Sequence, residues 1–120
     1  MRPERLLVQD MLDAIVEVIA TTPPTRKQFD ADKFVRSHLV RNIQIIGEAA
    51  WRLSAALKAQ HPQVPWKLIS GMRHAMVHDY FDIDFNEVYN TCIRDVPSLK
   101  PQIEALLAAF GPDVDDDAAG

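Results

Sequence analysis

Apolar side chains recur along this chain at spacings of three and four, and over no useful length at a spacing of two. Leu7, Met11, Ala14, Ile15 and Val18 share one face, while Asp10, Asp13 and Glu17 lie on the other. That pattern predicts an amphipathic helix over about residues 4–21, stopped by Thr22-Pro23-Pro24-Thr25. After Asp30 or Asp32 as N-cap, a long helix carries Leu39, Ile43, Ile46, Ala50, Leu53 and Leu57 at alternating steps of four and three. Such a seam suits packing along another long helix, within the chain or in a second copy. Gly47 costs this helix roughly 1 kcal/mol relative to alanine, so a neighbouring backbone is expected to approach closely there.

His61-Pro62-Gln63-Val64-Pro65 then breaks the chain. Pro65 fits a first helical position, and a third helix is expected from Trp66 to about Asp79. Asp84 with Glu87 forms a capping-box pattern opening a fourth, which carries Phe85, Val88, Tyr89, Cys92 and Val96. Pro97 starts a fifth, with Leu99, Ile103, Leu106 and Phe110 on one face and Gly111-Pro112 at its end. With no repeats and no second domain in view, the expectation is an all-α bundle of four to five helices over residues 1–111, followed by an acidic disordered tail over residues 112–120.

Composition narrows the possible roles. A chain of 120 residues, 48% of them apolar, suits one domain with a modest core. The net charge of −4 resides in Asp113, Asp115, Asp116 and Asp117, leaving 13 acidic and 13 basic residues elsewhere. A neutral body has no nonspecific grip on nucleic acid, so any RNA needs a local patch, with Arg36, Arg41, Arg52, Lys58, Lys67 and Arg73 as candidates against a background of solvated helix faces. The single cysteine, Cys92, excludes an intrachain disulfide and falls in an apolar stripe, as a buried thiol would. The N-terminus lacks the apolar run of a signal peptide and no stretch approaches a membrane span, so no membrane association and a cytoplasmic location are expected.

The chemistry concentrates in Arg73-His74-Ala75-Met76-Val77-His78-Asp79-Tyr80. On a helix at roughly 100° per residue, Arg73 falls on the apolar arc of Trp66, Ile69, Met72 and Met76. A guanidinium there needs a partner: a structural ion pair with Glu48 or Asp79, an edge position with snorkelling, or an anion at a cleft or interface. His78 would lie roughly 140° away on a straight helix. Hence the helix ends around Asp79 and bends, or a second protomer completes the constellation. RNA cleavage by its own 2′-hydroxyl needs a base, an acid and a cation for the charge on phosphorus. Arg73 suits the last role and His78 either of the others, while one histidine cannot be both in one step. His74 or a second His78 is then required. His74 and His78 also stand at the i, i+4 spacing of metal ligands, without a third ligand evident nearby.

These residues resemble the HepT-like toxins of the HEPN superfamily. Arg73, His78 and Tyr80 match their R-x4-H-x-Y motif. Arg41-Asn42-Ile43-Gln44-Ile45-Ile46-Gly47-Glu48-Ala49, Pro65-Trp66, Gly71-Met72-Arg73 and Tyr80-Phe81-Asp82-Ile83-Asp84 follow in the family's order, over residues 5–105 or so. The resemblance implies a helical, dimeric, metal-independent endoribonuclease without a cofactor, acting on RNA as the toxin of a toxin–antitoxin pair. Arg73 and His78 would be its catalytic pair. It also implies an MntA-like nucleotidyltransferase antitoxin that adds AMP to Tyr80, placing negative charge where an RNA phosphate must sit. His74 departs from the asparagine or aspartate common after the motif arginine, and is a candidate auxiliary acid or base.

Two other readings fit the same residues. A non-catalytic module would dock a nucleotidyltransferase and hold a nucleotide or RNA phosphate at Arg73 without turnover. A bundle used only for assembly would tolerate changes at Arg73 and His78.

Overall fold

The computed structural model describes residues 2–73, 77–79 and 82–111, with backbone alone at 77–79 and 82. Among the described residues the fold is all-α, with one short antiparallel pair of strands. Helix α1 (Glu4–Thr21) matches its predicted span. It packs along α3 (Lys33–Arg52) on one side and α7 (Val96–Ala108) on the other. Val8, Met11, Ile15 and Val18 of α1 are wholly buried against Leu39, Ile43, Ile46 and Ala50 of α3 and Val96 and Ile103 of α7. The seam read from the sequence is therefore intramolecular core, as Leu53 and Leu57 are buried in the same cluster.

Capping explains where the elements begin. Thr25 Oγ1 accepts from Gln28 N at 3.2 Å and opens α2 (Arg26–Ala31), a helix absent from the sequence expectation. Phe29 anchors it, fully buried and edge-on to Tyr89 at 5.1 Å between ring centroids. Asp32 Oδ1 caps α3 through Phe34 N and Val35 N, each at 3.1 Å, which selects the second of the two candidate caps.

Three expectations about helix extent are corrected. The long helix ends at Arg52, and Ser54 Oγ, accepting from Leu57 N at 3.1 Å, caps a separate α4 (Ala55–Gln60). Ser54 N donates to Glu4 Oε1 at 2.6 Å, tying this break to the start of α1. The motif helix, expected to reach Asp79, is only α5 (Trp66–Gly71), with Pro65 just outside it. Its last turn tightens through Met72 N to Ile69 O at 3.0 Å and Arg73 N to Ser70 O at 3.2 Å, and glycine at its final position does little to prolong it. Beyond it, β1 (Val77–Asp79) pairs antiparallel with β2 (Asp82–Ile83), Val77 opposite Ile83 and Asp79 opposite Asp82, with an irregularity between the two pairs.

The third correction concerns Pro97. The chain does not start a new helix there but runs from α6 (Phe85–Asn90), capped by Asp84 as expected, through a π-helical stretch (Thr91–Asp95) into α7. Val96 N reaches back to Thr91 O, widening the turn just before a proline whose ring would crowd the Ile93 carbonyl of a regular helix. Gly111, at φ 77°, closes the helical region. The tail at residues 112–120 lies outside the described residues.

Candidate functional site

Gly47 fixes where the motif arginine sits. A Cβ at this position would lie 2.5 Å from Arg73 N, 2.9 Å from Met72 C and 3.0 Å from Ile69 O, so α3 and the turn after α5 meet backbone to backbone. This is the close approach expected from a glycine in mid-helix.

From that turn the Arg73 side chain extends along α3, where its exposure is 29%. Its Nε donates to Glu48 Oε2 at 3.0 Å, and its guanidinium carbon stands 4.0 Å from the Trp51 ring centroid. Glu48 is one of the two carboxylates read in the sequence, and the side chain of the other, Asp79, lies outside the described residues. The other oxygen of Glu48 accepts from Arg52 Nε at 3.3 Å. One carboxylate is thus shared by two guanidiniums, one half-sheltered and one at the surface. Trp51, 55% exposed, had no sequence signal except an aromatic residue three positions after Glu48 on a polar face.

Arg73, Glu48, Arg41, Gln44 and Ile45 line an open cavity of about 420 Å³. Of the candidate basic patch, Arg41 and Arg73 line this cavity, and Arg52, which lines the cavity on the α1 side, is linked to it through Glu48. Arg36 is spent on structure, donating to Phe29 O at 3.1 Å and to Asp30 O, over the Phe85 ring. Lys67 lines a different cavity, between α5 and α6. His78 belongs to β1 by its backbone, and its side chain lies outside the described residues, as do His74 and Tyr80. The geometric objection to a straight motif helix disappears, because α5 ends before Arg73 and His78 belongs to a strand paired antiparallel with β2.

Cys92 takes no part in this arrangement. It is buried among apolar side chains, and burial pushes its thiol up to about 11, partly offset by a hydrogen bond with Thr22. An unreactive core thiol is the physical result.

Comparison with known proteins decides the family. The model of the family described as "Ribonuclease HepT-like" matches residues 11–106. The chain belongs to this family. Among relatives of this HepT-like chain, "Probable ribonuclease HepT" of Thermococcus cleftensis is 32% identical over 103 residues, covering 82% of the chain and 94% of that protein. "Putative RNase MJ1380" of Methanocaldococcus jannaschii is 31% identical over 106 residues, covering 88% and 97%. "Putative RNase TTE0752" of Caldanaerobacter subterraneus subsp. tengcongensis is 33% identical over 81 residues, covering 68% and 72%. No solved structure matches. Among the described residues no helix is long and apolar enough to cross a membrane.

Proposed function

We propose that this HepT-like ribonuclease is a metal-independent endoribonuclease toxin in which Arg73 and His78 do the chemistry. The observation that carries the reading is the mounting of Arg73: backbone held against Gly47, guanidinium oriented by Glu48 and Trp51, one edge of it on an open cavity. An arginine fixed in this way is preorganised for charge developing on a phosphoryl group.

In the reaction, the ribose 2′-hydroxyl loses its proton to a base and its oxygen bonds to phosphorus. The bond from phosphorus to the 5′-oxygen breaks, and an acid protonates that leaving oxygen. The products are a 2′,3′-cyclic phosphate and a 5′-hydroxyl. Arg73 stabilises the intermediate charge, and His78 acts as base or acid. His74, or His78 of a second copy in a homodimer, takes the complementary role. Tyr80 is the residue that an MntA-like nucleotidyltransferase antitoxin would modify with AMP, adding a charged group close in sequence to both catalytic residues. Residues 1–111 act as one domain with an acidic tail, and the protein works in the cytoplasm.

The test is cleavage of labelled total RNA by unmodified protein, by Arg73→Ala and by His78→Ala, all in excess EDTA. Cleavage by the wild type, reduced about 10²-fold or more in each variant, is expected. Equal cleavage by wild type and variants sinks the proposal. The Glu48 ion pair also favours a second reading, a non-catalytic module that binds a nucleotidyltransferase and a nucleotide phosphate, since it half-neutralises Arg73 at rest. That reading gains if the unmodified wild type binds RNA and cuts none.

A further inference from the structure

We propose that the exposed face of α3 is a track for single-stranded RNA, in which Trp51 stacks an unpaired base and Arg41 holds a phosphate neighbouring the one at Arg73. The inference rests on the ribonuclease reading for its substrate class and adds two residues to it.

Arg41, Gln44, Glu48 and Trp51 follow one another at steps of three, four and three, so they form one stripe along α3. At a rise of about 1.5 Å per residue the stripe runs for roughly 15 Å, a length that accommodates a few nucleotides. Arg73 lies against its C-terminal half, through Glu48 and Trp51.

Charge complementarity selects the occupant. Three guanidiniums, Arg41, Arg52 and Arg73, face one carboxylate, Glu48, along this stripe. Arg41 is exposed and has no ion pair among the described residues, whereas Arg2, Arg26 and Arg94 are all paired with aspartates. It opens on the same cavity as Arg73. A chain of evenly spaced phosphates satisfies both cations at once.

Trp51 supplies what a purely electrostatic groove lacks. Arg73 covers one face of the indole at 4.0 Å, yet the residue remains 55% exposed, so a base can reach the opposite face. A base, the indole and the guanidinium then form a continuous stack. Single-stranded nucleic acid is recognised by such combinations of aromatic platform and adjacent cation, because every base has a π face.

The test uses a fluorescent 2′-O-methyl oligonucleotide, which lacks the attacking hydroxyl and so reports binding to intact wild-type protein without turnover. Anisotropy is followed against salt for wild type, Trp51→Ala, Trp51→Phe and Arg41→Gln, each shown to be folded by circular dichroism. Trp51→Ala is expected to weaken binding about tenfold, Trp51→Phe to recover most of the loss, and an abasic probe to erase the difference. Arg41→Gln should reduce the slope of log affinity against log salt by about 0.7. Wild-type affinity and slope in both variants overturn the proposal. So does a Trp51→Ala penalty that persists undiminished on the abasic probe, or a loss of self-association in sedimentation with unchanged affinity per protomer, which would assign Trp51 to a contact with a second copy. Binding through Trp51 and Arg41 by a protein that cuts no RNA would leave the track standing and remove the ribonuclease chemistry; cleavage with null binding arms would do the reverse.

Discussion

Two cavities of similar size flank α3, about 470 Å³ towards α1 and about 420 Å³ towards the turn carrying Arg73. Volume does not distinguish them; charge does. The α1 side presents Asp10, Asp13 and Glu17, and the arginines there are consumed locally, Arg2 on Asp10 at 2.7 Å and Arg52 on Glu48 at 3.3 Å. On the opposite side Arg41 is unpaired among the described residues and Arg73 shares its carboxylate with Arg52. Glu48 and Ile45 line both cavities, so one helix separates an acidic groove from a basic one. A balanced overall charge is thus a poor guide to what a surface attracts: which charges are already paired decides it.

The contrast breaks first at Arg73. Its replacement by alanine is expected to lower cleavage about 10²-fold or more, whereas Asp10→Asn and Asp13→Asn on the acidic side should leave the rate within about twofold; comparable losses on both sides, in initial-rate assays, would erase the distinction. Next is Gly47→Ala. Helix propensity alone would make it stabilising, but the added Cβ meets backbone atoms of Met72 and Arg73, so chemical denaturation should show a net loss of about 1–3 kcal/mol.

Cys92, on the structural side with Thr22, gives a pH dependence of known sign. Its folded value of about 11 exceeds the ordinary 9.0, so the stability it contributes is complete below pH 9.0 and disappears as pH rises towards 11. The loss is about 3 kcal/mol and should be present in wild type and absent from Cys92→Ala in denaturation curves taken across that range. The smaller effects compare the two partners of Glu48. Glu48→Gln is expected to reduce cleavage about tenfold by releasing Arg73, and Arg52→Ala to change stability by no more than about 0.5 kcal/mol, since Arg52 is the exposed member of the pair.

The elements that sequence made legible are those whose neighbours lie across a single apolar face. The α1 helix and the six-residue seam of α3 and α4 are of this kind, and every seam residue is buried. The break at Leu53–Ser54 leaves no mark on the apolar pattern, because the step from Leu53 to Leu57 keeps the period, and only the Ser54 cap signals it. The motif helix was overextended for a related reason. Over a short apolar run such as Ala75-Met76-Val77, periodicity does not separate helix from strand, and pairing of Val77 with Ile83 depends on a segment further along the chain. At the site, the misplaced charge of Arg73 and the glycine in mid-helix were both visible as violations of local preference. Trp51 violated nothing, since an exposed aromatic on a polar face is ordinary, and only its proximity to Arg73 in space gives it meaning.

The sharing of Glu48 bears on what happens after a bond is cut. Arg73 does not wait empty: a carboxylate already engages its Nε. On the proposed mechanism a phosphate arriving there would enter an exchange, its hold set by the difference between two anions rather than by the full strength of a guanidinium clamp. On the same proposal the exchange run backwards would give a cleaved strand a way to leave, with Glu48 returning to the arginine as the product departs. An enzyme that must act on many molecules in succession gains from an arginine that grips only as hard as its resting partner allows.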